Sequence, residues 1–80
     1  MITVHVKLFA TLRQHRPGLG IGEAFAVELP EGTTVQGLIR NLQLPEAQVK
    51  IVFVNALFRP MDHVLADGDE LGIFPAVGGG

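Results

Sequence analysis

Apolar and polar residues alternate from the first positions of the chain: Ile2, Val4, Val6 and Leu8 are interleaved with Thr3, His5 and Lys7. A period of two places the two sets on opposite faces of an extended strand, so this segment is expected to be a strand with one face in a core. Phe9 then falls on the polar face. Residues 10–15 fit a short helical turn, and Pro17-Gly18-Leu19-Gly20-Ile21-Gly22 reads as a loop, because neither proline nor repeated glycine suits a regular interior. Phe25, Val27 and Leu29 alternate again. Residues 24–29 are therefore a second strand, hairpin-paired with the first through a long connection.

Pro30-Glu31-Gly32 breaks that strand, and Thr33 followed three residues later by Gln36 has the form of a capping box at a helix start. Val35, Leu38, Ile39 and Leu42 follow at i, i+3, i+4, i+7, which gives one apolar stripe to lay on a sheet, and Pro45 ends the helix soon after. Gly37 inside it costs about 1 kcal/mol of propensity relative to alanine and has no evident reason beyond close packing. Lys50 to Val54 is β-branched and aromatic and reads as a buried strand, Asn55-Ala56 as a turn, and Leu57-Phe58-Arg59 as a short edge segment to which Pro60 is suited. Asp67-Gly68-Asp69 is a turn into a last strand from Glu70 to Pro75, with Leu71 and Ile73 pointing one way and Phe74 the other. The order β-β-α-β-(β)-β implies an α+β roll, a mixed sheet of four to five strands with one main helix packed on one face.

Composition narrows the chemistry. At 80 residues, 48% hydrophobic and 18% charged, the chain supports one core and one domain. The absence of cysteine removes disulfides, thiolate metal sites and a cysteine nucleophile, so any sulfur chemistry must draw on a partner's sulfur. The net charge is −2, and Lys7, Arg13, Arg16, Arg40, Lys50 and Arg59 look scattered along the sequence, which argues against nucleic acid as the main ligand. No apolar run approaches the ~20 residues of a membrane span, and Met1 leads straight into the first strand without the charged and apolar regions of a secretory signal. A cytoplasmic protein that binds neither membrane nor nucleic acid is expected.

Most candidate sites have ordinary explanations. His5, His15 and His63 lack zinc-ligand spacing, so no metal site is expected. Asp62-His63 has no serine or cysteine to serve, and local turn stabilisation accounts for it better. The glycines at 18, 20 and 22 have the wrong spacing for phosphate-binding fingerprints. Asp67, Asp69 and Glu70 lack the calcium-loop pattern and read as a solvated acidic turn.

Two features resist that treatment. The first is the terminal run Gly78-Gly79-Gly80, which makes a thin, conformationally free ribbon able to thread a narrow channel. With Ala76 and Val77 it reaches roughly 17 Å when extended, and an ionised α-carboxylate there reacts only after activation, for instance as an acyl-adenylate. Residues 1–75 are accordingly expected to form the domain and 76–80 a flexible tail. The second feature is Phe9, Phe58 and Phe74. If the first and last strands are neighbours, these rings form one exposed apolar patch at the base of the tail, as a docking surface requires.

Phe53-Val54-Asn55, Asp62-His63, the run Leu65-Ala66-Asp67-Gly68-Asp69-Glu70-Leu71-Gly72-Ile73-Phe74-Pro75-Ala76-Val77 and the terminal glycines together resemble the ubiquitin-like sulfur carrier (MoaD/ThiS) family. That family includes the small subunit of molybdopterin synthase and the thiamine-pathway sulfur carrier. Leu8-Phe9-Ala10-Thr11-Leu12-Arg13 is similar to the molybdopterin-synthase type, so the likeness extends over nearly the whole chain. The resemblance implies a β-grasp fold and a protein that is not itself an enzyme. It implies that an adenylating enzyme related to ubiquitin-activating enzymes, which uses ATP, activates the Gly80 carboxylate, and that sulfur then replaces AMP to give a thiocarboxylate. No permanently bound cofactor is implied. Gly79 and Gly80 carry over as the reacting pair. Phe9, Phe58 and Phe74, with Pro75, Val77 and Gly78 along the arm, are implied to contact partners, among them the large subunit of molybdopterin synthase. Sulfur delivery to thiamine or another thiolated product, isopeptide conjugation as a ubiquitin-like modifier, and a non-reacting adaptor remain as alternatives.

Overall fold

The computed structural model describes residues 1–75, and the last five positions, including the tail residues Val77, Gly78, Gly79 and Gly80, lie outside the described residues. Five strands form one mixed sheet: β1 (Ile2–Leu8), β2 (Phe25–Leu29), β3 (Val49–Val54), β4 (Leu57–Phe58) and β5 (Glu70–Pro75), in the order β2-β1-β5-β3-β4. The two central strands, β1 and β5, are parallel, with Leu8 opposite Ile73, and the remaining pairs are antiparallel. One α-helix, α1 (Val35–Asn41), supplies the second layer. The expected β-grasp architecture is the one observed.

Alternation sorts the faces as the pattern requires. Val4, Val6, Leu8, Leu71 and Ile73 are buried and meet Val35, Leu38 and Ile39 of α1 in a single core. Burying side chains of this size contributes about 1.5–3 kcal/mol each before entropy is counted, which makes this cluster the main support of the fold. Residues 10–15 form the expected helical turn, a 3-10 helix (Ala10–His15) anchored by the buried Leu12. Asn55 and Ala56, at φ 52° and 68°, close the β3–β4 hairpin, because a two-residue turn with both residues left-handed matches the twist of the strands.

The helix ends differ from the sequence reading. The N-cap is Thr34, not Thr33: Thr34 Oγ1 accepts from the Gly37 amide at 3.1 Å, while Thr33 Oγ1 donates to the Pro30 carbonyl at 2.7 Å. Gln36 takes no part in a capping box and instead donates to Glu46 Oε1 at 2.9 Å. The shift places a glycine at the third helical position, where a Cβ would lie 3.0 Å from Thr33 Cγ2, so Gly37 makes room for the capping turn. At the other end Gln43 is left-handed (φ 58°), the Gln43 amide donates to Arg40 O and the Leu44 amide to Ile39 O. This is a Schellman closure that ends the helix before Pro45, with buried Leu44 as its apolar contact.

The acidic turn is exposed at Asp67 and Glu70, as expected of a solvated turn, but Asp69 is buried and two of its carboxylates bond across the fold. Asp67 Oδ1 accepts from the Thr3 amide at 2.7 Å, and Asp69, only 9% exposed, accepts from Asn55 Nδ2 at 2.9 Å and the Ala66 amide at 2.8 Å. Asn55 Oδ1 in turn accepts from the Glu70 amide at 3.0 Å. These carboxylates tie the start of β5 to both β1 and the β3–β4 turn.

Candidate functional site

The helix covers one face of the sheet, and the other face carries four of the five phenylalanines, Phe25 packing against the core instead. Register explains why they meet. Leu8 is level with Ile73, so Phe9, one residue on, arrives beside Phe74, and its amide extends the ladder by donating to Ile73 O at 3.1 Å. The rings of Phe9 and Phe74 stack in parallel, with centroids 4.3 Å apart and planes 2° from parallel. Adjacency of the first and last strands is thus observed, and with it the patch at the end of β5.

The patch is larger than the sequence suggested. Phe53, expected in a buried strand, lies on the outer face with Ile51, and its ring meets Phe74 edge-on at 5.7 Å. Phe58, 62% exposed on β4, meets Phe53 edge-on at 6.4 Å, so the four rings form a continuous band across β1, β5, β3 and β4. Edge-on and offset contacts of this kind are favourable by about 0.5–1.5 kcal/mol each, which holds the band in one arrangement. Its floor is Gly72, opposite both Lys7 and Phe53, where a Cβ would lie 3.2 Å from Phe9 Cε2 and 3.5 Å from Phe74 Cε1. An open hollow of about 440 Å³ sits above it, bounded by Phe9, Phe53, Phe74, His5, Lys7 and Glu70. Phe53 and Gly72 are the site residues that sequence reasoning missed. The run of four apolar residues Ile51 to Val54 hides the alternation that assigns Phe53 outward.

Pro75, also expected to touch partners, is the last described residue and is buried at the end of β5 opposite Val49. The expected contacts Val77 and Gly78 and the reacting pair Gly79 and Gly80 fall beyond it. Of the histidines, His5 is exposed beside Glu70, His15 Nε2 lies 3.2 Å from Gln48 Oε1, and His63 gives its carbonyl to the Val35 amide. No group of three or more histidine, aspartate or glutamate side chains positioned to hold a metal ion occurs among the described residues. No helix among them is long and apolar enough to cross a membrane.

The basic residues are not scattered in space. β1 and β5 run parallel and β3 antiparallel to them, so the C-terminal ends of β1 and β5 and the N-terminal end of β3 lie together. Four of the six basic residues, Lys7, Arg13, Arg16 and Lys50, belong to the segments at this end, where the last described residue, Pro75, also lies.

Comparison with known proteins agrees with this arrangement. The ThiS family model matches residues 6–80. Among solved structures, a candidate molybdopterin converting factor subunit 1 from Pyrococcus furiosus is 30% identical, with 96% of this chain and 100% of that one covered and a TM-score of 0.73. Small archaeal modifier protein 1 of H. volcanii is 22% identical over 96% of this chain and all of its own, with a TM-score of 0.75. A chain from the complex of subunits 1 and 2 of the molybdopterin-converting factor of Helicobacter pylori is 21% identical, with 99% and 100% coverage and a TM-score of 0.62. No curated protein matches the sequence.

Proposed function

The chain belongs to the ThiS family of ubiquitin-like sulfur carriers, and from that membership we propose that its Gly80 carboxylate is adenylated by an ATP-using enzyme related to ubiquitin-activating enzymes and then converted to a thiocarboxylate. The recipient of the sulfur is a pterin precursor in molybdopterin biosynthesis, with the large synthase subunit as the docking partner. The observation that carries this reading is the four-phenylalanine band beside Pro75, an apolar surface at the root of a glycine-ended tail in which Phe58 is exposed and Phe9, Phe53 and Phe74 are half-buried. Exposed contiguous apolar surface of this kind marks partner contact. The 30% identity to the Pyrococcus furiosus subunit 1 protein favours the molybdopterin branch.

In this scheme the chain supplies a carbonyl carbon and a handle, and catalysis resides in its partners. Residues 1–75 are the docking domain, and residues 76–80 are the arm that enters the partner's active site. Glycine at 78, 79 and 80 lets the arm pass a constriction that any Cβ would block. ATP is used by the activating partner and is not held by this chain. The setting is the cytoplasm.

Intact-mass measurement of the chain incubated with its adenylating enzyme, ATP and a sulfur donor tests the proposal: the mass rises by the difference between sulfur and oxygen. A chain that forms neither adenylate nor thiocarboxylate with cognate partners rules it out. The likeness to small archaeal modifier protein 1 supports a second reading, in which activated Gly80 is passed to lysines of target proteins. Gly80-linked lysine peptides in digests identify that use. Deleting Gly79 and Gly80 abolishes either chemistry and leaves a non-reacting adaptor active, so this variant separates the adaptor from both carboxylate readings.

A further inference from the structure

Basic residues gather toward one end of the strand axis of this small domain, where Glu23 and Glu46 also lie. At the end where β1 and β5 begin, Glu28 is opposite Thr3, Glu70 is opposite His5, and Asp67 bonds the Thr3 amide. At the end where β5 finishes, Lys50 follows Val49, the partner of Pro75, and Lys7 stands two residues before Phe9 on β1. Arg13 and Arg16 lie on and just after the 3-10 helix that follows β1, where they border an open groove of about 470 Å³ together with Ala10, Pro17 and Leu19.

Among the described residues these cations have no ion-pair partner. The one ion pair among the described residues joins Arg40 to Glu46 at 3.7 Å, on the helix side of the sheet. Glu23, the carboxylate nearest in sequence to Arg16, accepts from the Gly20 amide at 2.8 Å. Arg16 is held in place without neutralisation, its guanidinium 4.1 Å from the centre of the Phe25 ring. A cation–π contact restrains the side chain while leaving its in-plane N–H donors free for a carboxylate.

We propose that Lys7, Arg13, Arg16 and Lys50 form a basic collar that docks acidic side chains on the protein that receives the tail. This rests on the carrier reading and specifies its partner: a surface with an apolar centre for the phenylalanine band and a rim of aspartate and glutamate. The collar is continuous with the band, since Lys7 borders the hollow over Gly72 and Arg13 borders a smaller hollow of about 230 Å³ shared with Phe9. Four cations spread around the root of a strand suit a protein rim better than a single phosphate. A single-stranded nucleic acid fits less well, because Phe9 and Phe74 are consumed in stacking on each other and the net charge of the chain is −2. Glu28 and Asp67 lie toward the far end while Glu23 and Glu46 lie toward the collar end, so the attraction for an acidic rim comes from the four collar cations locally.

Two measurements test the collar. In stopped-flow association with the cognate adenylating enzyme, Arg13→Glu/Arg16→Glu slows association by about tenfold or more at low salt, and the difference shrinks as salt screens the charges. Arg59→Glu, with the same charge change per site but outside the collar, stays within about twofold of wild type on the same principle. Arg13→Gln/Arg16→Gln, with thermal unfolding as a fold check, replaces the reversal variant if that one fails to fold. In the second measurement, NMR titration with a hexaglutamate peptide shifts the side-chain signals of Arg13 and Arg16 and leaves those of Arg40 and Arg59 in place. Equal rates for the collar variants and wild type across salt overturn the collar, as does a hexathymidylate oligonucleotide that shifts the same arginines at lower concentration than the peptide. Normal thiocarboxylate formation alongside such a result leaves the carrier reading standing. A peptide response confined to the collar in a chain that never becomes thiocarboxylated removes the carrier reading instead.

Discussion

Replacing Phe74 with alanine separates what the outer face does for the fold from what it does for binding. The substitution removes a ring that stacks on Phe9 at 4.3 Å and meets Phe53 edge-on at 5.7 Å. In a closed core a Phe→Ala change costs about 3–5 kcal/mol, a good part of it from the cavity left behind. Here the vacated space opens into the hollow over Gly72, so water fills it and the cavity contribution largely disappears. What remains is the aromatic contact, about 0.5–1.5 kcal/mol, and the lost apolar burial, on the order of 1 kcal/mol. The core of the strand is untouched, because Leu71 and Ile73 face α1 and are 2% and 0% exposed. The expected loss is therefore about 1.5–2.5 kcal/mol by urea denaturation with an unchanged slope, and a double-mutant cycle with Phe9→Ala should return a coupling of about 0.5–1.5 kcal/mol. Calorimetric titration against the large synthase subunit should show affinity falling by more than tenfold, as for a truncated aromatic anchor at the centre of an interface. A stability loss above about 3 kcal/mol with unchanged affinity refutes the argument, since it places Phe74 in the core rather than on a docking face.

Other substitutions probe the supports of that face. Asp69→Ala leaves the Ala66 amide and Asn55 Nδ2 without their acceptor and is expected to cost about 2–3 kcal/mol in chemical denaturation, with Asp69→Asn, which keeps one acceptor, losing about half as much. Ala56→Gly relieves a left-handed alanine at φ 68° worth about 1 kcal/mol, offset in part by the freer unfolded chain, so a net gain of about 0.5 kcal/mol should appear as a small rise in melting temperature. Gly37→Ala gains about 1 kcal/mol of helix propensity but forces its Cβ against Thr33 Cγ2 at 3.0 Å, so calorimetry should find no net stabilisation.

Strict alternation made β1, β2 and β5 legible, and the i, i+3, i+4, i+7 stripe made α1 legible, because both patterns are local consequences of burying one face. What escaped the sequence depended on partners far along the chain. Thr33 and Thr34 satisfy the same local rule, and the choice falls to Thr34 through its pairing with Val64 and the Leu65 amide's bond to Thr33 O, contacts that no short window contains. Asp67 looks like a solvated turn residue until β5 is laid beside β1, which brings its carboxylate to the Thr3 amide 64 residues away. Phe53 sits in an unbroken apolar run whose register also shifts between Val49 and Ile51, so its facing cannot be counted off from the strand start.

The same dependence on topology bears on the charges. Lys7, Arg13, Arg16 and Lys50 are spread over more than half of the sequence and carry no pattern by spacing. Two facts of strand direction, β1 parallel to β5 and β3 antiparallel to it, bring their segments to the end at which β5 finishes with Pro75. The aromatic band and the basic collar therefore share one cause, the central position of β5 between β1 and β3. On the carrier function proposed above, the reactive group lies on a terminal arm, and recognition elements near the root of that arm are the ones whose docking also delivers the terminus. Putting the last strand at the centre of the sheet serves that delivery, since it gives the root of the arm neighbours on both sides.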